Sequence, residues 1–155
     1  MSGSSRAAVD AWESLFRAQS LLFQQFTESK AWQGRSPREY DVLYQLGRAG
    51  DAGLRQRDLT GRLFISQPSL SRMIERLVEE GLIERRPDPR DGRGALLALS
   101  TAGRELQRRI GAGHATDIAA AMRARLTDAE LRELTRLTRK LAPSPDDAPD
   151  ERTPR

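Results

Sequence analysis

Between Ser66 and Gly81 the apolar residues Leu70, Met73, Ile74, Leu77 and Val78 fall at i, i+3, i+4, i+7 and i+8, the spacing of one face of a helix. Ser66 supplies an N-cap, Pro68 sits in the first turn where a missing N–H is tolerated, and Gly81 stops the run. With that face turned to a core, about 100° per residue sets Ser69, Ser71, Arg72, Glu75, Arg76 and Glu79 on the opposite side, and Gln67 and Pro68 lie at the exposed start. Two short runs of strand character follow, Leu82 to Arg86 and Ala95 to Leu99, separated by Pro87-Asp88-Pro89-Arg90-Asp91-Gly92-Arg93-Gly94. The pair reads as a β-hairpin whose loop is longer and more charged than a two-residue turn requires, which points to a tip with a use.

The rest of the chain places this unit. From Ala7 to about Trp32, the residues Trp12, Leu15, Phe16, Leu22, Phe23 and Phe26 make one stripe on a long helix that Gly34 ends. Ser36-Pro37-Arg38-Glu39 is a capping box with Pro at the first helical position, opening a helix with Tyr40, Leu43, Tyr44 and Leu46 that stops at Gly47 to Gly50. Leu54 to Leu63 reads as a short helix. Ser100 or Thr101 caps another, with Leu106, Ile110, Ile118, Ala121, Met122 and Leu126, interrupted at Gly111-Ala112-Gly113. Thr127-Asp128-Ala129-Glu130 is a second capping box ahead of the stripe Leu131, Leu134, Leu137 and Leu141. From Ala142 onward, Pro and charge predict disorder.

The expected fold is therefore mainly α with a small β-hairpin wing: a winged helix-turn-helix at 35–100 between helices at 7–34 and 101–141, with disordered ends at 1–6 and 142–155. The 155 residues, 37% hydrophobic and 31% charged, suit one such domain, and 5% aromatic content leaves the core to Leu, Ala and Ile.

Several chemistries are excluded. Without Cys there is no disulfide, thiolate zinc site, thiol nucleophile or thiol redox sensor. His114 and Asp117 lie three apart on one helix, but two ligands do not make a zinc site, so no metal or other cofactor is expected. His114 shares a face with Ile110 and Ile118 and reads as a helix-interface residue, with a ligand-pocket or pH-sensing role as the alternative. No P-loop, dinucleotide glycine fingerprint or nucleophile–base pair is present, so no enzyme is expected. No apolar run approaches the roughly 20 residues of a membrane span, and the polar start lacks a signal-peptide core, which predicts a cytosolic protein.

The net charge of +4 includes no polybasic arm, yet 24 of the 26 basic residues are Arg, the better residue for bidentate contacts to phosphate and guanine. Codon usage in a GC-rich genome explains the same bias. The polar face at Gln67 to Arg76 suits a major groove, since Gln67 can bond adenine edges and Arg72 or Arg76 can reach guanine or phosphate; an ordinary surface helix is the plain alternative. Arg90 and Arg93 at the hairpin tip can enter a minor groove, or form a solvated turn with Asp88 and Asp91.

The stretch Ile65-Ser66-Gln67-Pro68-Ser69-Leu70-Ser71-Arg72-Met73-Ile74-Glu75-Arg76-Leu77-Val78-Glu79-Glu80-Gly81-Leu82-Ile83-Glu84-Arg85, then Asp88-Pro89-Arg90-Asp91-Gly92-Arg93 and Leu99-Ser100-Thr101-Ala102-Gly103-Arg104, resembles the MarR family of bacterial transcription regulators. The D-x-R-D-x-R wing is its most specific piece. Phe64 departs from the pattern, standing at a turn position where helix-turn-helix proteins often carry Gly. The resemblance implies a homodimer with intertwined terminal helices, usually a repressor, binding double-stranded DNA as an inverted-repeat operator. It implies base or backbone contacts from Gln67, Ser69, Ser71, Arg72 and Arg90, phosphate contact or wing support from Arg93, and wing support from Asp88 and Asp91. Arg76 stays open between a phosphate contact and an internal ion pair. It also implies a small effector, often an anionic phenolic compound, for which Trp12, Phe16, Trp32, Tyr40 and Tyr44 are the aromatic candidates, with plain dimer or domain core as the alternative reading of them. A helical dimeric protein-interaction module without specific DNA binding is the rival function.

Overall fold

The computed structural model describes residues 3–63 and 65–142, with the side chains of 3–4 and 92–93 outside the description. In order it runs α1 (Gly3–Thr27), a 3₁₀ turn (Lys30–Trp32), α2 (Pro37–Ala49), a second 3₁₀ turn (Gly50–Ala52), β1 (Leu54–Arg55), α3 (Gln56–Leu63), α4 (Gln67–Glu79), β2 (Ile83–Asp88), β3 (Asp91–Leu99), α5 (Thr101–Arg123) and α6 (Asp128–Leu141). The strands form one antiparallel sheet in the order β1-β3-β2, with Leu54 opposite Leu97 and Ile83 opposite Leu99. Helices α2 to α4 with this sheet are a winged helix-turn-helix. Phe64, and residues 143–155 of the tail expected to be disordered from Ala142 on, lie outside the described residues.

The chain divides into two compact units, residues 1–117 and 118–155. The first holds one continuous core. Leu70, Ile74 and Leu77 of α4 are fully buried with Val42, Leu43 and Leu46 of α2, Leu59 of α3, Leu97 and Leu99 of β3, and Ile110 of α5. Each such side chain contributes about 1.5–3 kcal/mol by leaving water, so α4 is fixed through its apolar face and presents its polar one. In the second unit, the Thr127 hydroxyl accepts from the Glu130 N–H while the Glu130 carboxylate accepts from the Thr127 N–H, the capping box read from the sequence.

Four local expectations change. Helix α1 begins at Gly3, inside the segment expected to be disordered, and ends at Thr27 rather than near Trp32. There Ser29 takes over as cap of a 3₁₀ turn, its hydroxyl accepting from the Ala31 N–H at 2.9 Å, and the turn buries Trp32, whose indole N–H donates to the Phe26 carbonyl. The segment read as one helix from Leu54 is a two-residue edge strand followed by α3. Gly53, at φ +67°, makes that turn against β3, where an added Cβ would stand 2.8 Å from the Leu97 carbonyl. Gly111 and Gly113 do not interrupt α5: they let it approach its neighbours, since a Cβ would lie 3.0 Å from the Tyr40 hydroxyl at Gly111 and 3.0 Å from the Ala31 Cβ at Gly113. Finally, the hairpin strands reach Asp88 and resume at Asp91, so only Pro89 and Arg90 form the turn, beside an irregularity at Pro87/Asp88.

Candidate nucleic-acid interface

Gln67 and Arg72 of α4 are exposed, Ser69 and Ser71 are half-buried, and Leu70 between them anchors the helix. The Ser66 hydroxyl donates to that of Ser69 at 2.9 Å, and the Ser71 hydroxyl reaches the Glu75 carboxylate only at 3.4 Å. Among the described residues Arg72 makes no hydrogen bond or ion pair, whereas Arg76 donates to the Glu39 carboxylate at 2.9 Å.

That pair belongs to a network that holds the helix. Glu39, buried at the start of α2, accepts from the Ser36 N–H at 2.8 Å and the Ser36 hydroxyl at 2.9 Å. Burial raises its pKa, but the bonds from Ser36 and then Arg76 outweigh this and hold the carboxyl below its ordinary range. Arg35 bridges from Glu39 to Glu80 just past α4. Arg76 thus makes an internal ion pair while its side chain stays 54% exposed.

The wing is built around Asp88, expected to support it, and Arg55, which sequence reasoning did not single out. Asp88 is buried, and one of its carboxylate oxygens accepts from both Nε and an Nη of Arg55 on β1 while the other accepts the Arg90 N–H at 2.9 Å. The Arg90 N–H bond lowers the Asp88 pKa most, and Arg55 adds to it against the opposing effect of burial. The turn is therefore tied to the opposite edge of the sheet, with the Arg90 side chain exposed at the tip. Asp91 faces Asp88 across the hairpin, and the Arg93 side chain lies outside the described residues. Once Leu54 to Leu63 is read as a helix, nothing in the sequence pairs Arg55 with Asp88.

The aromatic candidates separate. Trp12 and Phe16 stack on α1 at 6.3 Å between ring centroids and are 65% and 59% exposed. Trp32, Tyr40 and Tyr44 form a different cluster, with centroids 5.6 Å and 5.9 Å apart, and His114 joins it 4.6 Å from Trp32. Phe26 meets His114 edge-on at 5.3 Å. Burial raises the Tyr40 pKa, partly offset by a hydrogen bond with Gln107. His114 is thus a helix-interface residue and a member of the aromatic cluster at once.

Among the described residues, no group of three or more His, Cys, Asp or Glu is placed to hold a metal, and no helix is long and apolar enough to cross a membrane.

Residues 33–94 match the MarR family model. No curated protein sequence matches the chain. Among solved structures it is similar to Sco3205, a MarR family transcriptional regulator from Streptomyces coelicolor solved in complex with DNA, at 28% identity and a TM-score of 0.71, over 85% of this chain and 83% of that one. It is also similar to the PcaV transcriptional regulator from Streptomyces coelicolor, solved with its natural ligand, at 27% identity and a TM-score of 0.62, over 85% and 89% of the two chains. The fold is shared as well with wild-type MarR from E. coli in its apo form, at 24% identity and a TM-score of 0.73, over 84% and 96%. The winged part of the chain thus matches the MarR family model, and its fold is shared along most of its length with solved MarR family regulators, to which the chain is similar.

Proposed function

We propose that the chain works as a homodimeric, sequence-specific DNA-binding regulator, a repressor relieved by a small ligand. The observation that carries this reading is α4: its apolar face is fully buried, its far end is pinned through Arg76 and Glu39, and Gln67 and Arg72 stand exposed. In this reading Gln67, Ser69, Ser71 and Arg72 read the major groove, and Arg90 enters the minor groove from the wing with Arg93 at phosphate. Asp88, Asp91 and Arg55 keep the wing in shape. Arg76 orients the helix and has N–H groups left for a phosphate.

Residues 35–100 are then the DNA-binding domain, and 7–34 and 101–141 the dimerisation segments. The uncovered apolar residues Val9, Trp12, Phe16 and Phe23 of α1, and Leu134, Leu137 and Leu141 of α6, support the dimer, because patches of this kind on a small chain mark interfaces. Trp12 and Phe16 fit that surface better than a ligand site, which leaves Trp32, Tyr40 and Tyr44 as the effector candidates. A ligand there must bind the DNA-competent and DNA-incompetent states with different affinity. The protein would act in the bacterial cytosol, where its operator is.

The test is a titration of DNA flanking the protein's own gene at two salt concentrations, with random-sequence DNA as competitor. Tight binding that resists the competitor and weakens steeply with salt is expected. Weak binding, indifferent to sequence and salt, would favour the protein-interaction module instead.

A further inference from the structure

Phe23 and Phe26 of α1, Trp32, Tyr40 and Asp41 of α2, and His114 of α5 line a cavity of about 180 Å³. That is the volume of roughly six liquid water molecules, room for one small ring with a substituent. Among the described residues its lining contains one carboxylate, Asp41, and neither Lys nor Arg. The anionic ligand implied by the family resemblance would find no cation here and would face a negative charge.

The polar atoms of the lining suit the opposite ligand. Asp41, an exposed residue of the lining, forms no hydrogen bond or ion pair among the described residues, and partial desolvation of its carboxyl pushes its pKa up, with some relief from His114. The His114 Nδ1 is buried and makes no hydrogen bond among the described residues. In the tautomer protonated at Nε2, that nitrogen accepts a hydrogen bond. Two residues carrying acceptor atoms thus line a space shared with the rings of Trp32, Tyr40 and Phe26, whose faces attract a cation.

We propose that this cavity binds a small protonated amine carried on a compact apolar or aromatic body, its N–H groups shared between Asp41 and His114 and its charge resting on the ring faces. The proposal names the chemical class of the effector suggested above and rests on that reading for its regulatory consequence, whereas occupancy of the cavity is independent of DNA.

His114 is the only histidine in the chain, so a single set of imidazole NMR signals reports on the cavity. The full-length protein is titrated, without DNA, with benzylamine, benzyl alcohol and benzoate at slightly alkaline pH, where the amine is protonated and the acids are ionised. Benzylamine is expected to shift the His114 signals with an affinity about tenfold above that of benzyl alcohol, and benzoate to bind weakest. In Asp41→Asn the benzylamine affinity should fall to that of benzyl alcohol, while unchanged benzyl alcohol binding shows that the cavity is intact. Benzoate binding as well as benzylamine in the unaltered protein would overturn the proposal, as would an amine preference that survives in Asp41→Asn, or no shift with any probe. Benzylamine binding at His114 together with no sequence-specific DNA binding would uphold this site and remove the regulator reading, so the two fail separately.

Discussion

In α4, Leu70, Ile74 and Leu77 are fully buried, whereas in α6, built on an equally regular stripe, Leu134, Leu137 and Leu141 remain 36%, 45% and 73% exposed. The Thr127–Glu130 box caps α6 while the Ser66 hydroxyl makes no cap bond to α4, yet both helices would be called amphipathic from their spacing alone. What separates them is the surface opposite. Around α4 the same unit supplies α2, α3 and the sheet, so the stripe is satisfied within one chain. The stripe of α6 has its cover still to find, and a second copy of the chain is the cover we propose. A stripe in a sequence states that a face will be buried without stating by what.

The sharpest way to break this contrast is to damage each stripe in turn. Leu77→Ala should destabilise the folded chain by about 2–5 kcal/mol, the range for truncating a fully buried leucine, read by denaturant unfolding. Leu137→Asp should leave the helical content and the winged unit intact and instead raise the dimer dissociation constant by thirtyfold or so, about 2 kcal/mol, in sedimentation equilibrium. Equal loss of folding in both variants would show that α6 is satisfied within its own chain.

The DNA-facing residues come next. Arg72→Ala and Arg90→Ala should each weaken operator binding by about 1–3 kcal/mol with the dimer unchanged, and unchanged affinity in both would remove the proposed contact set. Arg76→Ala should act more through helix placement, lowering thermal stability along with affinity.

The smallest effect concerns Glu39. Removing its charge in Glu39→Gln should cost about 1 kcal/mol at neutral pH by weakening the bonds from Ser36 and Arg76. Because the folded-state pKa is depressed, this stabilisation is present above the ordinary carboxylate range and is lost as pH falls through the folded pKa. Chemical unfolding of both proteins across that acid window should therefore show their difference shrinking to nothing, and a difference that persists in acid would assign the effect to packing.

What the sequence made readable is local. The stripe of α4, the capping boxes at Ser36 and Glu39 and at Thr127 and Glu130, and the turn at Gly81 involve residues within four positions of one another, where helix periodicity and side-chain-to-backbone bonds act. What stayed hidden is held across distance. β1 is two residues long and exists only because Leu54 and Arg55 pair with Leu97 and Leu96, and the wing's length depends on Arg55 reaching Asp88. Gly111 and Gly113 read as breaks because the sequence does not say that Tyr40 and Ala31 press against them. His114 was visible as a helix-face residue, but its place among Phe26, Trp32 and Tyr40 follows only from the packing of α1, α2 and α5.

The most direct test of the whole account is hydroxyl-radical footprinting of the protein on the best-bound site from DNA flanking its gene. Two recognition helices on a two-fold axis predict paired protections over an inverted repeat, with half-sites about 10 base pairs apart and added minor-groove protection beneath each wing that Arg90→Ala removes. Protection of a single half-site, or of no defined sequence, would contradict a dimeric operator-binding regulator.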